Sequence, residues 1–311
     1  MSKPILKKID GILLLDKPMY ITSNGVLQRV KRLFGAKKAG HTGSLDPLAT
    51  GMLPICFGEA TKFSQFLLES DKCYQVVAKL GVKTRTGDAE GDIVETKPVL
   101  NITRERVEAV LRQFEGAIQQ IPPMYSALKV QGKPLYELAR QGIEIPREPR
   151  SVHIYSLQLT DFQSDMLQIE VQCSKGTYVR TLVEDIGDLL GCGAHVSALR
   201  RAAVLPYSGI KMYTLAALED AYNQFGIDVL TQYLLPLETS VQTLPAIKLS
   251  NTAAFYIKMG QPVMIPHFPA QGLVRIFSYH DEFMGVGEIL EDGRVAPRRL
   301  VTSLQKMAQA G

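Results

Sequence analysis

The sequence predicts an α+β protein with a large N-terminal domain and a small β-rich C-terminal domain. The chain has 311 residues, more than one domain usually holds. Before about residue 240, helical and alternating apolar patterns are mixed, without the regular strand–helix alternation of a doubly wound parallel sheet. After that point, prolines and glycines separate short apolar runs, which is typical of a small β-rich module. We therefore expect one domain over 1–242 and a second over 243–311.

The first part of the chain predicts strands joined by short helices. Thr22 and Ser23 can cap a helix whose apolar residues recur at helical spacing, and Gly35 stands just beyond its end. Phe63, Phe66 and Leu67 indicate a second, shorter helix. The segments typical of strands are GILLLDKP (11–18), MLPICF (52–57) and CYQVVAKLG (73–81).

The middle of the chain predicts helices around a pair of alternating strands. VKTRTGDAEGD (82–92) is expected to be a polar loop, and the next helix ends near Gly116. IPREPR (145–150) is a stiff connector before the strands SVHIYSLQL and MLQIEVQCS, whose alternation indicates half-buried faces. An amphipathic helix begins near Val179 and ends near Gly191.

Basic residues cluster at both ends of the chain. The net charge is only +4, but residues 1–40 contain nine Lys or Arg and two Asp. The last twenty residues add Arg294, Arg298, Arg299 and Lys306. Such clusters fit a surface that binds a polyanion, and they equally fit an ordinary solvated surface.

Several classes of protein are excluded or disfavoured. No apolar run approaches the roughly 20 residues that span a membrane, and the N-terminus lacks the apolar core of a signal peptide. We therefore expect a cytoplasmic protein that does not bind membranes. The four cysteines are scattered without a CxxC pair, which predicts reduced thiols. The five histidines show no metal-ligand spacing, so no metal site is expected.

No cofactor motif is complete. GAKKAGHT (35–42) nearly matches a phosphate-binding loop, but His41 replaces the required lysine and the segment follows a predicted helix. The acidic run at 88–92 begins like a calcium loop, but its sixth and twelfth positions are Ile93 and Val99. We expect neither a nucleotide cofactor nor any other.

A lone carboxylate lies in a neutral, turn-forming segment. In GHTGSLDPLATG (40–51), Asp46 is the one formally charged residue between Ala39 and Gly58. An aspartate before proline commonly forms a turn or caps a helix. The neighbouring glycines also permit close approach of a ligand, and Pro47 stiffens the chain after the carboxylate. The local sequence leaves the structural and the functional interpretation open.

Six segments together resemble the motifs of the bacterial tRNA pseudouridine-55 synthase family. They follow in the family's order over residues 10 to about 205, and the tail resembles, more loosely, the RNA-binding PUA domain. Tyr20 departs from the family pattern, which usually has glycine there, and Met52 replaces the usual valine. The segments are GILLLDKP with ITSN, GHTGSLDPLATG, KCYQVVAKLGVKTRTGDAEGD, PPMYSALKVQGKPLYELAR, SKGTYVRTLVEDIG and HVSALRR.

The resemblance implies a fold, a reaction and a partner. The fold is a pseudouridine synthase catalytic domain with a mixed, mainly antiparallel sheet, followed by a PUA-like domain. The reaction isomerises uridine 55 in the T-loop of tRNA to pseudouridine, without a cofactor and with the base flipped out of its stack. The partner is the T-arm stem-loop of tRNA, bound by a monomer. The first step, which is attack at C1′, addition at C6 or formation of a glycal, stays open.

The resemblance also implies roles for particular residues. The implied catalytic residues are Asp46, Arg180 as its ion-pair partner, and Tyr178 as the residue that meets the flipped base and relays a proton. The implied substrate-binding residues are Tyr74, which stacks on the base, Tyr178, Leu199, which lines the pocket, His41, which contacts RNA beside the extruded base, and Lys17, which supports the loop or meets a phosphate. Without the resemblance, Arg180 would be a surface residue of a first helical turn, where an unpaired cation opposes the helix dipole and is mildly disfavoured. Tyr74 would then be better explained as a core residue of a strand.

Two other functions compete with an isomerase. One is a non-catalytic protein that binds or remodels RNA on the same scaffold, which the basic ends suit equally well. The other is an aspartate-dependent hydrolase of glycosidic bonds. Such hydrolases usually use two carboxylates, and residues 39–58 supply one.

Overall fold

A computed structural model describes residues 8–265 and 271–302 of the chain. The described residues form a large mixed sheet with helices packed on it and a separate five-stranded sheet near the C-terminus. No helix within the described residues is both long enough and apolar enough to cross a membrane.

Along the described chain, the strands are β1 (Gly11–Lys17), β2 (Ala39–His41), β3 (Thr50–Phe57), β4 (Lys72–Leu80), β5 (Val82–Thr84), β6 (Ile93–Thr96), β7 (Gly116–Gln120), β8 (Lys129–Val130), β9 (Lys133–Pro134), β10 (Arg150–Gln163), β11 (Met166–Cys173), β12 (Ala194–Val204), β13 (Tyr213–Thr214), β14 (Ala246–Lys248), β15 (Val263–Met264), β16 (Gly272–Phe277), β17 (Phe283–Ile289) and β18 (Arg294–Leu300). The α-helices are α1 (Ser23–Leu33), α2 (Ser64–Glu69), α3 (Arg104–Leu111), α4 (Leu135–Arg140), α5 (Val179–Leu190), α6 (Leu215–Phe225) and α7 (Asn251–Lys258). Short 3₁₀ helices span Gly58–Lys62, Arg112–Phe114, Ile227–Tyr233 and Leu237–Val241.

The large sheet is mixed and mainly antiparallel, as the resemblance implies. Within the described residues its order is β13-β1-β3-β12-β4-β11-β10-β7, with β2 also paired to β3. The pairs β1–β13 and β3–β12 are parallel, and the other pairs are antiparallel. The parallel β3–β12 pair lies at the centre and joins the strand after the Asp46 loop to the strand that carries Leu199.

Alternating burial explains why β4, β11 and α5 share one hydrophobic core, with α5 packed on one face of the sheet. Val76 and Ala78 of β4 are buried, and they share a core cluster with alternate residues of β11 such as Ile169. The apolar stripe of α5, including Leu182 and Ile186, covers this face of the sheet. Gly191 ends α5 in the left-handed conformation, as its position in the sequence predicts.

A second core lies under α1 and α6. Val26 and Val30 of α1 pack with Leu53 of β3 and Leu218 of α6. Thr22 caps α1 by accepting a hydrogen bond at its hydroxyl oxygen from the backbone N–H of Gly25. This packing fixes α1 directly beside the loop that carries Asp46.

The C-terminal sheet has the order β14-β16-β17-β18-β15 within the described residues, and α7 packs on it. Phe63 and Val241 of the large domain share an apolar cluster with Val286 of β17. Lys62 Nζ donates to Leu300 O at 2.9 Å. The β-rich C-terminal domain that the sequence predicts is confirmed, and it is packed against the large domain through this cluster.

The structure differs from the sequence prediction at several elements. Residues 82–92 are not wholly a loop, because β5 lies at 82–84 and pairs with β6. The helix α7 within the C-terminal module was not predicted. Neither was β12, whose alternation is interrupted by irregular register between Val196 and Ala198 and again between Arg201 and Ala203.

The four cysteines are free thiols. Burial raises the pKa of Cys56 and Cys173 to about 12 in both cases. Cys192 is buried as well, whereas Cys73 on β4 is half-buried.

Candidate active site

The loop between β2 and β3 holds Asp46 from both sides. The N–H of Leu45 donates to Ser23 Oγ at 2.8 Å, and the Ser23 hydroxyl donates back to Leu45 O at 3.0 Å. On the other side of Asp46, the N–H of Tyr20 donates to Pro47 O at 2.8 Å. The two chain neighbours of the carboxylate are therefore fixed by the segment that leads into α1.

Lys17 lies beneath this loop. Its Nζ donates to Pro18 O at 2.9 Å and to Pro47 O at 3.2 Å. The residue is 0% exposed, and burial lowers the pKa of its ammonium to about 8. This geometry matches the loop-supporting role among the two that the resemblance implies, and it leaves no solvent-facing atom for a phosphate.

Arg201 on β12 fastens the other end of the loop. Its Nε donates to Met52 O at 2.7 Å and its Nη2 to Gly43 O at 3.1 Å. At Gly51, where φ is +97°, an added Cβ would lie 2.3 Å from Arg201 O. Glycine is therefore required there both by the backbone conformation and by the approach of β12.

Arg180 in the first turn of α5 pairs with Asp46. Its Nε lies 3.0 Å from Asp46 Oδ2, and its side chain is 7% exposed. The other two nitrogens also donate hydrogen bonds, Nη1 to Thr86 O and Nη2 to Tyr125 O, each at 2.7 Å. A buried guanidinium held through all three of its nitrogens is fixed in one orientation.

Asp88 is a second acidic partner of Arg180, which the sequence analysis did not assign to the site. Its Oδ2 lies 3.6 Å from Arg180 Nη1, and the residue is buried. Asp88 Oδ1 accepts hydrogen bonds from Thr86 Oγ1 at 2.6 Å and from the N–H of Glu90 at 3.1 Å. Its sequence signal is its place in the motif TGDAEGD, which begins like a calcium loop and also ends one of the segments that resemble the family.

The electrostatics of Asp46 are set by opposing effects. Burial raises the pKa of its carboxyl above the ordinary aspartate value, and the nearby charge of Asp88 adds to the rise. The cations Arg180 and Lys17 oppose it. The side chain is 40% exposed, because one side faces an open cavity while protein surrounds the others.

Two cavities meet at the Asp46–Arg180 pair. The smaller, about 330 Å³, is also lined by Tyr74, Tyr178 and Leu199. The larger, about 680 Å³, shares the ion pair with it but extends toward other residues. The other side chains that line the larger cavity include Thr22, Ser23, Asn24, His41, Glu90, Tyr136 and Arg140.

Tyr178 stands at the entrance to α5 and is held through its backbone. Its N–H donates to Gln120 Oε1 at 3.0 Å, and Gln120 Nε2 donates to Tyr178 O at 3.3 Å. Gln120 is buried at the end of β7. Burial raises the pKa of the Tyr178 hydroxyl, and the same holds for Tyr74 on β4. Both phenols are therefore neutral at physiological pH.

His41 ends β2 on the wall of the larger cavity. Burial, with Arg201 as a second cause, lowers the pKa of its imidazole, so the neutral ring is favoured. Its Nδ1 is buried, and no hydrogen-bond partner is found for it among the described residues. A buried polar nitrogen without a partner is uncommon in folded proteins.

The fold brings the predicted site residues together from distant parts of the chain. Five of them, Asp46, Arg180, Tyr178, Tyr74 and Leu199, line the smaller cavity. His41 lines the larger one and Lys17 lies under the loop. The residues that the sequence analysis missed are supporting ones: Asp88, Arg201, Gln120 and Ser23.

Family models match the chain almost end to end. The model described as "TruB family pseudouridylate synthase (N terminal domain)" matches residues 31–179. The model "tRNA pseudouridylate synthase B C-terminal domain" matches 180–242, and "Pseudouridine synthase II TruB, C-terminal" matches 245–301. A Coxiella burnetii protein named tRNA pseudouridine synthase B is 57% identical over 95% of this chain and 96% of its own length. The chain belongs to the TruB family of pseudouridylate synthases.

Further comparisons agree with membership of the TruB family. A protein of Ectopseudomonas mendocina, also named tRNA pseudouridine synthase B, is 53% identical over 96% of this chain and 97% of its own length. A chain in the crystal structure of a Cbf5–Nop10–Gar1 complex superposes with a TM-score of 0.73 and 27% identity, covering 93% of this chain and 84% of that chain. The predicted family, fold class and enzyme class are confirmed.

Proposed function

We propose that this TruB-family enzyme isomerises uridine 55 in the T-loop of tRNA to pseudouridine. Its curated relatives are named tRNA pseudouridine synthase B, which supports tRNA as the substrate. The observation that carries the proposal is the Asp46 carboxylate, 3.0 Å from a buried Arg180 and facing a cavity lined by two tyrosines and Leu199.

In this proposal the reaction begins at Asp46. The carboxylate meets the sugar–base linkage of the uridine, the C1′–N1 bond breaks, the uracil turns, and C5 bonds to C1′. Attack at C1′, addition at C6 and abstraction of a proton all begin from the same ionised group. Arg180 favours that charged form against the burial that opposes it. The hydroxyl of Tyr178 relays the C5 proton to solvent, accepting it on the phenol oxygen as its own proton passes to water.

The smaller cavity receives the uracil and the larger one receives the adjoining RNA. Extrusion of a stacked base costs a few kcal/mol, and stacking on an aromatic ring returns about 1–3 kcal/mol per base. Tyr74, on the wall of the smaller cavity, supplies that ring. The neutral ring of His41, on the wall of the larger cavity, fills the stack that the base vacates.

We propose that the protein acts as a monomer that binds the T-arm stem-loop, as the family resemblance implies. The proposed site draws residues from many parts of the chain, including α1, the Asp46 loop, β4, α4, α5 and β12. The C-terminal domain would bind the RNA outside the active site.

The two competing functions are less consistent with the geometry. A protein that only binds RNA has no need of a buried guanidinium between Asp46 and Asp88, since such an arrangement is expensive to desolvate. In the folded site, Asp88 joins the one carboxylate that residues 39–58 supply. Asp88 is nevertheless buried and bonded through both oxygens, so it is not placed to activate water.

Tritium release tests the proposal directly. A T-arm stem-loop RNA with 5-tritiated uridine at the target position should lose its tritium with the wild-type protein and keep it with Asp46→Asn. Because asparagine preserves the shape of the side chain, the variant should still bind the RNA. Release by Asp46→Asn, or no release by the wild type, would refute the proposal.

A further inference from the structure

We propose that Tyr20 is an RNA-stacking residue that contacts a nucleotide beside the target uridine. This inference rests on the proposed function. It starts from backbone strain, since Tyr20 has φ of +64° and is 78% exposed. A left-handed backbone is costly for a residue with a Cβ, and a bulky residue there is a true outlier. The resembled motif usually has glycine at this position.

The free protein offers no compensation for this strain. The exposed ring of Tyr20 buries little apolar surface, so it gains little from the hydrophobic effect. The hydrogen bond that holds the residue comes from its backbone N–H to Pro47 O, which any residue except proline would make. Strained residues cluster at ligand-binding sites, where the side chain contributes to binding a ligand and not to the stability of the fold.

The position of Tyr20 beside the site identifies the ligand. Its backbone N–H donates a hydrogen bond to the carbonyl of Pro47, the residue that follows Asp46. Met19, before it, lines a cavity with Gln75 and Leu199, while Thr22, after it, lines the larger cavity with Asp46. Tyr20 therefore lies in the segment that joins the wall of one cavity, at Met19, to the wall of the cavity that holds Asp46, at Thr22. In the proposal, nucleotides next to the target uridine pass over this segment, and the exposed phenol ring offers them a stacking surface.

Substitutions at one position separate the ring from the strain. Tyr20→Phe keeps both, Tyr20→Ala removes the ring and keeps the Cβ, and Tyr20→Gly removes both. RNA affinity should follow the ring. We expect Tyr20→Ala and Tyr20→Gly to weaken binding of a T-arm stem-loop by about 5- to 150-fold, and Tyr20→Phe to bind within about twofold of wild type.

The melting temperature should instead depend on whether residue 20 has a Cβ, because the Cβ causes the left-handed strain. Tyr20→Gly should raise the melting temperature by about 1–4 °C relative to Tyr20→Ala, because it relieves the left-handed strain. Ser164→Gly is the matched control, since Ser164 is an exposed non-glycine residue at φ +54° in the β10–β11 turn. It should gain stability and leave RNA affinity unchanged.

Each outcome has one meaning when dissociation constants and tritium release are measured together. Wild-type affinity in Tyr20→Ala overturns the inference while leaving the isomerase proposal intact. Loss of affinity in Tyr20→Phe as large as in Tyr20→Ala overturns stacking, because the hydroxyl then makes the contact. RNA binding without tritium release in the wild type refutes the proposed reaction, whereas the affinity series still decides whether Tyr20 contacts RNA. A wild type that does not bind the stem-loop overturns both.

Discussion

At the scale of single residues, the charge balance of the site depends on Arg180. Burying a guanidinium costs several kcal/mol unless its charge and donors are met. Here Asp46 and Asp88 supply opposite charge at 3.0 and 3.6 Å, and two backbone carbonyls accept the other hydrogen bonds. Both carboxylates border the larger cavity, but Asp46 is the more exposed of the two, with its side chain 40% exposed against 5% for Asp88.

Replacing Asp88 should therefore impair catalysis through Arg180. We expect Asp88→Asn to lower kcat by about 10-fold or more, since hydrogen bonds to charged groups contribute about 1.5–3 kcal/mol. The affinity for RNA should stay within about twofold of wild type. Single-turnover rates and dissociation constants on the T-arm stem-loop measure both. Asp92→Asn is the matched control, because Asp92 is exposed in the same loop. An unchanged rate in Asp88→Asn would show that Arg180 needs no second carboxylate.

The pH profile should report the raised pKa of Asp46. In the proposed reaction the ionised form of Asp46 is the reactive one, and burial raises the pKa of its carboxyl above the ordinary aspartate value. Activity should thus fall with decreasing pH at a higher pH than an exposed aspartate would give. The charge of Asp88 contributes to the rise, so Asp88→Asn should move this acidic limb to lower pH. Single-turnover rates across mildly acidic pH test the direction, and a shift toward higher pH in the variant would contradict it.

At the scale of elements, the end of the Asp46 loop at Gly51 packs so closely against the Arg201 backbone of β12 that an added Cβ would lie 2.3 Å from Arg201 O. Gly51→Ala should lower the free energy of unfolding by about 2–5 kcal/mol, since it adds both left-handed strain and a clash with Arg201 O. Gly43→Ala is the control, with a similar φ of +96° but a nearest atom 3.6 Å away at the end of a side chain. It should cost about 1–2 kcal/mol. Urea denaturation measures the difference, and equal losses would show that the clash is relieved.

The two hydrogen bonds between the Gln120 side chain, at the end of β7, and the Tyr178 backbone, at the start of α5, should set the position of Tyr178. Gln120→Ala removes both hydrogen bonds to the Tyr178 backbone, which should cost about 1–3 kcal/mol of stability and lower kcat more than RNA affinity. Gln119→Ala, at the exposed neighbouring position of β7, should change neither. Thermal melting and single-turnover rates distinguish the two variants. A Gln120→Ala enzyme with wild-type kcat would mean that Tyr178 is positioned by its side chain alone.

The sequence predicts the regular elements of this fold better than the irregular ones. The clear alternation of β11 and the apolar stripe of α5 are visible without the structure. The bulges of β12 hide its period, and β5 pairs with β6 across a polar segment. The site divides in the same way. Asp46 stands out in its neutral segment, but the approach of Asp88 to Arg180, which lies 92 positions later in the chain, is a tertiary contact with no local signal.

At the scale of the whole molecule, the C-terminal domain contributes both arginines that form ion pairs and one arginine, Arg299, for which no ion pair is found within the described residues. Arg294 pairs with Asp292 and Arg298 with Glu288 on the surface of the five-stranded sheet. Arg299 is exposed, and no ion pair is found for it within the described residues. Lys306, a further basic residue of the predicted cluster, lies outside the described residues.

Arg299 should therefore contribute more to RNA binding than its paired neighbour. In a plot of log affinity against log salt, Arg299→Ala should reduce the slope by about 0.7–0.9, the value for one phosphate contact. Arg294→Ala should change the slope less, because its charge is already balanced by Asp292. Titrations of the stem-loop at several salt concentrations measure both slopes. Equal slopes for all three proteins would place the RNA elsewhere.

Substitution is a sharper test of the C-terminal domain than deletion. We predict a domain boundary at 242/243, and removing the tail should weaken affinity more than chemistry. Deletion would also uncover Phe63 and Val241, which pack against Val286. Loss of affinity in a truncated chain would then combine lost RNA contacts with an exposed apolar surface, whereas Arg299→Ala changes charge alone.

The half-buried thiol on β4 offers a ready attachment point for a reporter. Cys73 alone of the four cysteines has appreciable solvent contact, and successive side chains of a strand point to opposite faces. Cys73 therefore lies on the side of β4 turned away from Tyr74. A maleimide dye will label the unmodified protein there first, next to the proposed base pocket but not within it. Docking of RNA can then be followed by fluorescence in the native sequence, without engineering a label site.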